Sequence, residues 1–443
     1  MANLKIPKRV STALVNSLGA GVVPRVGLEY VAVGRKIEIA ALLQDLENIG
    51  EGGAAFRFVI GRFGSGKTFL LQLIRNYAMD RDLVVADADL SPERRLAGTD
   101  GHGLATYREL LRNLATKTRP DGGALPALLE RWISGIQAKV VKEQGLKPND
   151  ASFPDAVEAA IVQVVNDMEG MVHGFDFASV VSAYWRGYRQ EQDSLRDAAL
   201  RWLRGEFATK TDARAANLGV RVIIDDESWY DYVKLLARFV TALGYKGLVV
   251  FIDEAVNLYK ITHTVSRQNN YEKLLAMFND TMQGKAEHLG FVVGGTPQFL
   301  EDSNRGLYSY EALRSRLAES RFVRDGLQDT TGPILRLNTL TPEEIFVLLT
   351  RLIAVHSAHF GYEPKLTDQQ IQAFLQEVHN RLGAEAFLTP RETIRDFIAV
   401  LNLLRQNPAF TFEQVIHGSD FKPSASAPDP DVDEKAKYAE FKL

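Results

Sequence analysis

The chain has no cysteine in 443 residues. That absence removes disulfides, thiolate zinc sites and cysteine nucleophiles together. It fits a reducing compartment and is compatible with an oxidising one. An excess of one charge is also lacking. The 52 Lys+Arg and 56 Asp+Glu residues leave a net charge of −4, so no basic field covers the whole surface, although a local basic groove stays open. No apolar stretch approaches the length of a membrane span. The opening Met1-Ala2-Asn3-Leu4-Lys5-Ile6-Pro7 has no apolar secretory core. The expected location is therefore the cytoplasm, with no membrane partner. The histidines offer no metal site. His356 and His359 are three apart, yet no carboxylate stands beside them at ligand spacing. No Gly-x-Ser-x-Gly elbow is present. A hydrophobic content of 46% and a charged content of 24% are those of an ordinary globular chain, long enough for two or three domains.

What stands out is Gly61-Arg62-Phe63-Gly64-Ser65-Gly66-Lys67-Thr68. It reads G-x-x-x-x-G-K-T, a loop whose backbone N–H groups cradle phosphates. Phe56-Arg57-Phe58-Val59-Ile60 before it reads as a strand, and Phe69-Leu70-Leu71-Gln72-Leu73-Ile74-Arg75 after it as a helix start. Strand, glycine loop and helix form the context that such a cradle needs. The helix N-terminus adds partial positive charge. The expected phosphate-binding set runs from Gly61 through Phe69. Lys67 is expected to reach the β- and γ-phosphates of ATP, and Thr68 to ligate Mg²⁺.

Further along, Leu83 to Asp89 and Gly247 to Glu254 read as strands, and Leu289 to Pro297 as a strand and turn. Residues 1–50 read as an extended lead followed by a helix from Ile37 to Ile49. Helices are expected over 229–243 and 271–283. The stretch from about 104 to 205 reads as mostly helical, with breaks at Lys117–Leu125 and Gly145–Phe153. Strands alternating with helices predict an α/β fold with a mostly parallel, three-layer sheet. From Leu335 the pattern turns helical, with helices over 342–358, 367–381 and 390–405. Residues 419–443 read as a disordered tail.

Asp253-Glu254 closes the strongest strand. The end of a parallel strand places carboxylates beside the phosphate loop. Asp253 is expected to hold Mg²⁺ and Glu254 to polarise the attacking water. An acidic strand end is common by itself; the pairing with Gly61–Thr68 gives it meaning. Asp225-Asp226-Glu227 also follows an apolar run, but Arg221 interrupts that run, and a structural strand end or cap is expected there. Thr296 ends the next strand, where its side chain could contact the γ-phosphate or serve only as a turn residue. Arg314 and Arg316 lie two apart, so one helix face carries one of them. Arg316 is the candidate for an arginine supplied to a neighbouring subunit. Thr389-Pro390-Arg391 opens a late helix, which could bring Arg391 over the nucleotide. Arg186, Arg189, Arg196, Arg201 and Arg204 are the candidate DNA contacts, but interleaved acids favour a solvated face.

This order resembles an AAA+ ATPase of the initiator type. In that class Gly34-Arg35 lies near the adenine, Thr296 matches sensor 1, Arg316 the arginine finger and Arg391 sensor 2. A closer resemblance spans nearly the whole chain. "GRFGSGKTFLLQLIRNYA", "KGLVVFIDEAVNLYK", "GGTPQFLEDSNRGLYSYEALRSRLAE" and "LTPRETIRDFI" are similar to the P-loop ATP-binding proteins of BREX-type phage-defence systems, the BrxC/BrxD-like group. The resemblance implies a P-loop NTPase, AAA+-like core over 1–334, with a long, mostly helical insertion at about 104–245. An all-α lid domain over 335–418 and the tail over 419–443 complete the expected organisation. It further implies a cytoplasmic prokaryotic ATPase encoded with other defence or DNA-processing components. The paired phosphate and carboxylate motifs together with the lid point to an oligomerising, ATP-hydrolysing protein that acts on DNA or a DNA-bound complex. The alternative is a nucleotide-dependent switch or scaffold with little hydrolysis.

Overall fold

The structure, a computed structural model, describes residues 5–166, 174–318, 329–363, 366–382, 389–418 and 421–423. The expected tail, apart from residues 421–423, lies outside them, as do residues 167–173 of the expected helical stretch.

Five strands form one sheet: β1 (Ala54–Gly61), β2 (Val84–Asp89), β3 (Leu248–Asp253), β4 (Leu289–Gly295) and β5 (Ile334–Leu337). Their order is β2-β3-β4-β1-β5, and every pairing is parallel. Sheets of this kind are covered on both faces, which is why β3 reads as the unbroken run Leu248-Val249-Val250-Phe251-Ile252. Period-2 alternation sorts the side chains. Phe56, Phe58, Ile60, Val250, Ile252 and Phe291 enter one core with the helix Thr264–Met282. Ala55, Val59, Val249, Phe251 and Val292 enter another with the helices Lys36–Gly50 and Lys67–Asp80.

Between β2 and β3 the described chain is mainly helical, from His102–Arg112 to Trp229–Ala242. These helices continue the first core. Phe239 lies 5.6 Å from both Trp132 and Phe177. Val220–Glu227 forms no strand. Asp226 accepts the amides of Gly101 and Leu104 at 2.7 and 2.8 Å, and so caps the helix His102–Arg112.

The C-terminal helices Pro342–Phe360, Asp368–Leu382 and Pro390–Gln406 agree with their expected bounds. Thr341 and Glu344 close a reciprocal capping box at the first. These helices build a third core, shared with the N-terminal helix Lys8–Gly19 through Leu14, Val15 and Leu18.

Three elements depart from the sequence reading. The lead is not extended: it holds Lys8–Gly19 and a short turn of helix at Leu28–Val31. Its first helix begins after Pro7 with no side-chain cap, so the usual start signal is absent and tertiary packing decides. Ile334–Leu337 is a strand, four residues long, and pairs with the end of β1. The helix expected from 271 starts at Thr264, where His263 accepts the amide of Ser266. Its first turns carry Arg267 and Asn270, buried by hydrogen bonding and not by apolar contact.

Candidate nucleotide site

β1 ends at Gly61, and the next helix starts at Lys67. The connection needs left-handed backbone at Gly64 (φ 75°) and Gly66 (φ 92°), which glycine adopts without a Cβ penalty. A Cβ at Gly66 would meet nothing within 4 Å, so the loop faces open space there. Lys67 Nζ donates to the carbonyls of Gly61 and Arg62 at 2.8 and 3.0 Å. Its ammonium also lies 5.4 Å from the Phe63 ring centroid.

Thr68 Oγ1 donates to Asp253 Oδ2 at 2.6 Å. The other Asp253 oxygen accepts the Glu254 amide at 2.8 Å. Glu254 adopts φ 56°, a left-handed conformation that costs a non-glycine residue energy and turns its side chain out of the strand direction. Its carboxyl titrates above the ordinary range, chiefly through burial and then through the Asp253 charge, with Lys67 opposing. Asp89, in register with Asp253 on β2, is likewise raised by burial, then by Asp253 and Asp87. Asp89 is a site neighbour that the sequence reading passed over. Its only signal was to be the last residue of an apolar run, as Asp253 is.

A cavity of about 180 Å³ is lined by Gly34, Arg35, the loop residues Phe63 through Phe69, Glu254 and Arg391. Seven of those residues belong to the loop, and Gly34-Arg35, Glu254 and Arg391 come from three other segments of the chain. Arg35, itself at φ 61°, donates to the Ser65 carbonyl at 3.1 Å and to the Asn338 carbonyl. It thus ties the loop to the segment following β5. Leu18, Val22, Val23 and Val31 supply an apolar wall. No local signal marks these residues, because they reach the cavity only through the packing of the first helix.

The remaining expected residues lie elsewhere. Gly61 and Arg62 serve beneath the loop as acceptors for Lys67, and Asp253 stands behind Thr68. Thr296 is 2% exposed, and its Oγ1 accepts the Phe299 amide at 3.3 Å, capping the helix Pro297–Glu301. Arg316 is exposed, with Nε on Asn279 Oδ1 at 2.9 Å and Nη1 on the Ala312 carbonyl at 2.8 Å. Arg189 and Arg196 face Asp155 and Asp193 at 4.0 and 3.5 Å. Arg201 covers Phe207, with 4.8 Å to the ring centroid.

The donor set suits a magnesium-bound nucleotide. Thr68 and Asp253 offer adjacent hard oxygens. The Ser65 and Thr389 hydroxyls are buried, with no hydrogen-bond partner among the described residues. Buried hydroxyls in that state call for a ligand or water. Among the described residues, no helix is long and apolar enough to cross a membrane.

The family model for the BREX system ATP-binding protein BrxC/D matches residues 6–420. That span contains the loop, Asp253-Glu254 and the C-terminal helices. No curated protein matches the chain.

Proposed function

The chain belongs to the BREX system ATP-binding protein BrxC/D family, and from that membership we propose that it hydrolyses ATP in an AAA+-type site that serves phage defence. The observation that carries the reading is the join between Thr68 and Asp253, with Glu254 next in the chain. The sheet order adds support. The phosphate loop follows β1, the acids stand at the end of β3, Thr296 follows β4 and the helical lid follows β5.

Gly61–Thr68 bind the phosphates, and Lys67 exchanges its two carbonyl partners for phosphate oxygens. Thr68 and Asp253 would hold Mg²⁺, which would supply charge neutralisation at the phosphates. Glu254 orients the lytic water and accepts its proton. Gly34 and Arg35 border the base, and Arg391 approaches from the lid. Arg316, absent from its own cavity, acts on a neighbouring subunit. DNA or a DNA-bound complex and other defence-system proteins are the proposed partners. The paired states of Arg189 and Arg196, on two successive helices, lend no support to a DNA site there.

The second reading is a nucleotide switch with slow turnover. It is favoured by a cavity walled jointly by the N-terminal segment and the lid, both able to report occupancy. Steady-state ATP turnover of wild type, Lys67→Ala and Glu254→Gln tests the first reading. Wild-type turnover no faster than either variant would sink it. Partner capture that survives Glu254→Gln but not Lys67→Ala selects the switch.

A further inference from the structure

Thr389 precedes the lid helix Pro390–Gln406 and occupies its cap position with extended backbone, φ −85° and ψ 142°. A threonine so placed ordinarily uses its hydroxyl to accept an amide of the first turn. Thr341 and Thr411 do this at two neighbouring helices. Thr389 makes no such bond. Its Oγ1 is nevertheless buried and has no partner among the described residues. A buried hydroxyl left unsatisfied costs about 1–3 kcal/mol, so the position is expensive unless something else completes it.

The side chain lies against the phosphate loop. A Cβ built on Gly64 would meet Thr389 Cβ at 2.6 Å and Oγ1 at 3.1 Å. On the loop side, Ser65 is 4% exposed, and its hydroxyl is buried without a partner too. Of these two orphaned hydroxyls, that of Thr389 lies beside Gly64 and that of Ser65 beside Gly61, at the start of the same loop. Arg391, the second residue of the same helix, lines the adjoining cavity.

We propose that Thr389 is a lid-borne phosphate ligand, its hydroxyl donating to a phosphate oxygen of the nucleotide held by Gly61–Thr68. The proposal rests on the nucleotide reading of that loop. A threonine in this place makes lid position depend on the phosphates, independently of Arg391. It also explains why the hydroxyl is withheld from the helix it precedes.

The test is calorimetric ATP binding with Mg²⁺, together with thermal melting with and without ATP, on wild type, Thr389→Val and Thr389→Ser. Thr389→Val keeps the shape and removes the hydroxyl. The expected result is a melting point without nucleotide that does not fall, because no cap bond is lost and an unsatisfied buried hydroxyl is removed. ATP affinity should fall about tenfold, as for one hydrogen bond to a charged acceptor, and Thr389→Ser should restore most of it. A Thr389→Val protein that binds ATP like wild type overturns the proposal alone. A melting point lowered equally with and without ATP also overturns it, by assigning the hydroxyl to the helix cap. Wild-type protein that binds no ATP overturns the nucleotide reading beneath it.

Discussion

Thr68 Oγ1 donates to Asp253 Oδ2 at 2.6 Å, joining positions 185 residues apart in the chain. The contact brings the first residue after the phosphate-loop lysine to the end of β3. Neither group has an apolar reason to be there. Asp253 is 7% exposed, and a carboxylate buried to that extent is costly without compensation. Two donors, Thr68 Oγ1 and the Glu254 amide, provide it.

Asp253→Asn keeps an oxygen for Thr68 but removes the charge that a divalent cation needs. Binding of ATP in the presence of a chelator should be unchanged. The gain in affinity on adding Mg²⁺ should disappear, and turnover should fall by about a hundredfold or more. Titrating Mg²⁺ into the ATP complex reads both. A Mg²⁺ response equal to wild type would remove Asp253 from the metal site.

Lys67→Ala and Glu254→Gln should separate binding from turnover. Without the ammonium, both ATP affinity and turnover decline, the latter by about a hundredfold. Without the carboxylate, affinity holds while turnover falls by about 10²–10⁴-fold, the range for a lost general base. Fluorescent-nucleotide titration beside steady-state turnover checks the split. Equal loss of affinity in the two variants would contradict the assigned roles.

Arg57 shows how the strand beneath the loop is held. Its Nε and Nη2 engage both Asp45 oxygens at 2.6 and 2.9 Å, and Nη1 donates to the Thr330 carbonyl at 2.9 Å. Asp45→Ala leaves that nearly buried guanidinium without its counterion. The expected loss is about 3 kcal/mol, the low end for a broken buried pair. Glu287→Ala removes the partner of Arg238, where both side chains are nearly half exposed, and should cost less than about 1 kcal/mol. Urea midpoints of the two variants check the contrast.

His356 is buried among the C-terminal helices. Nδ1 faces the Tyr362 hydroxyl at 2.8 Å and Nε2 faces Asn402 Oδ1 at 3.1 Å. One neutral tautomer satisfies both. Burial lowers its pKa first, with the Arg405 and His359 charges adding to the effect and the Asn402 bond opposing it. Below the unfolded imidazole pKa near 6.5, the unfolded chain therefore binds a proton that the fold refuses. Stability from this group is full above that value and is lost as pH falls toward the depressed folded value. Proton NMR should show His356 still neutral at a pH where exposed imidazoles are half titrated. A His356 resonance that titrates with them would refute it.

Much of this site is legible in the chain because its parts have local causes. Gly64, Gly66 and Lys67 sit between a strand and a helix, and Asp253-Glu254 ends an unbroken apolar run. Thr341-Pro342-Glu343-Glu344 announces its helix through capping chemistry. What stayed hidden depends on distant packing. Leu18, Val22 and Val23 wall the cavity only because the first helix packs on the C-terminal helices. Ile334–Leu337 is a strand only because β1 offers it an edge. Thr389 looks like a routine cap, and only the missing bond and its closeness to Gly64 distinguish it.

Arg316 gives the sharpest test of assembly. It lies outside the cavity of its own chain, and Asn279 and the Ala312 carbonyl fix its Nε and Nη1. A guanidinium held at its root and exposed at its tip can reach a neighbour's phosphates with little ordering cost. Arg316→Ala should leave ATP affinity intact and lower turnover by about 10³–10⁵-fold. Lys67→Ala fails for the opposite reason: its phosphate site is damaged while its Arg316 is sound. Mixing the two inactive proteins should restore turnover, because an intact loop from one meets an intact arginine from the other. Restoration should grow with total protein concentration as mixed assemblies form. A mixture as inactive as its components, under conditions where sedimentation shows mixed oligomers, would confine Arg316 to its own chain and leave the trans-acting residue to be found elsewhere.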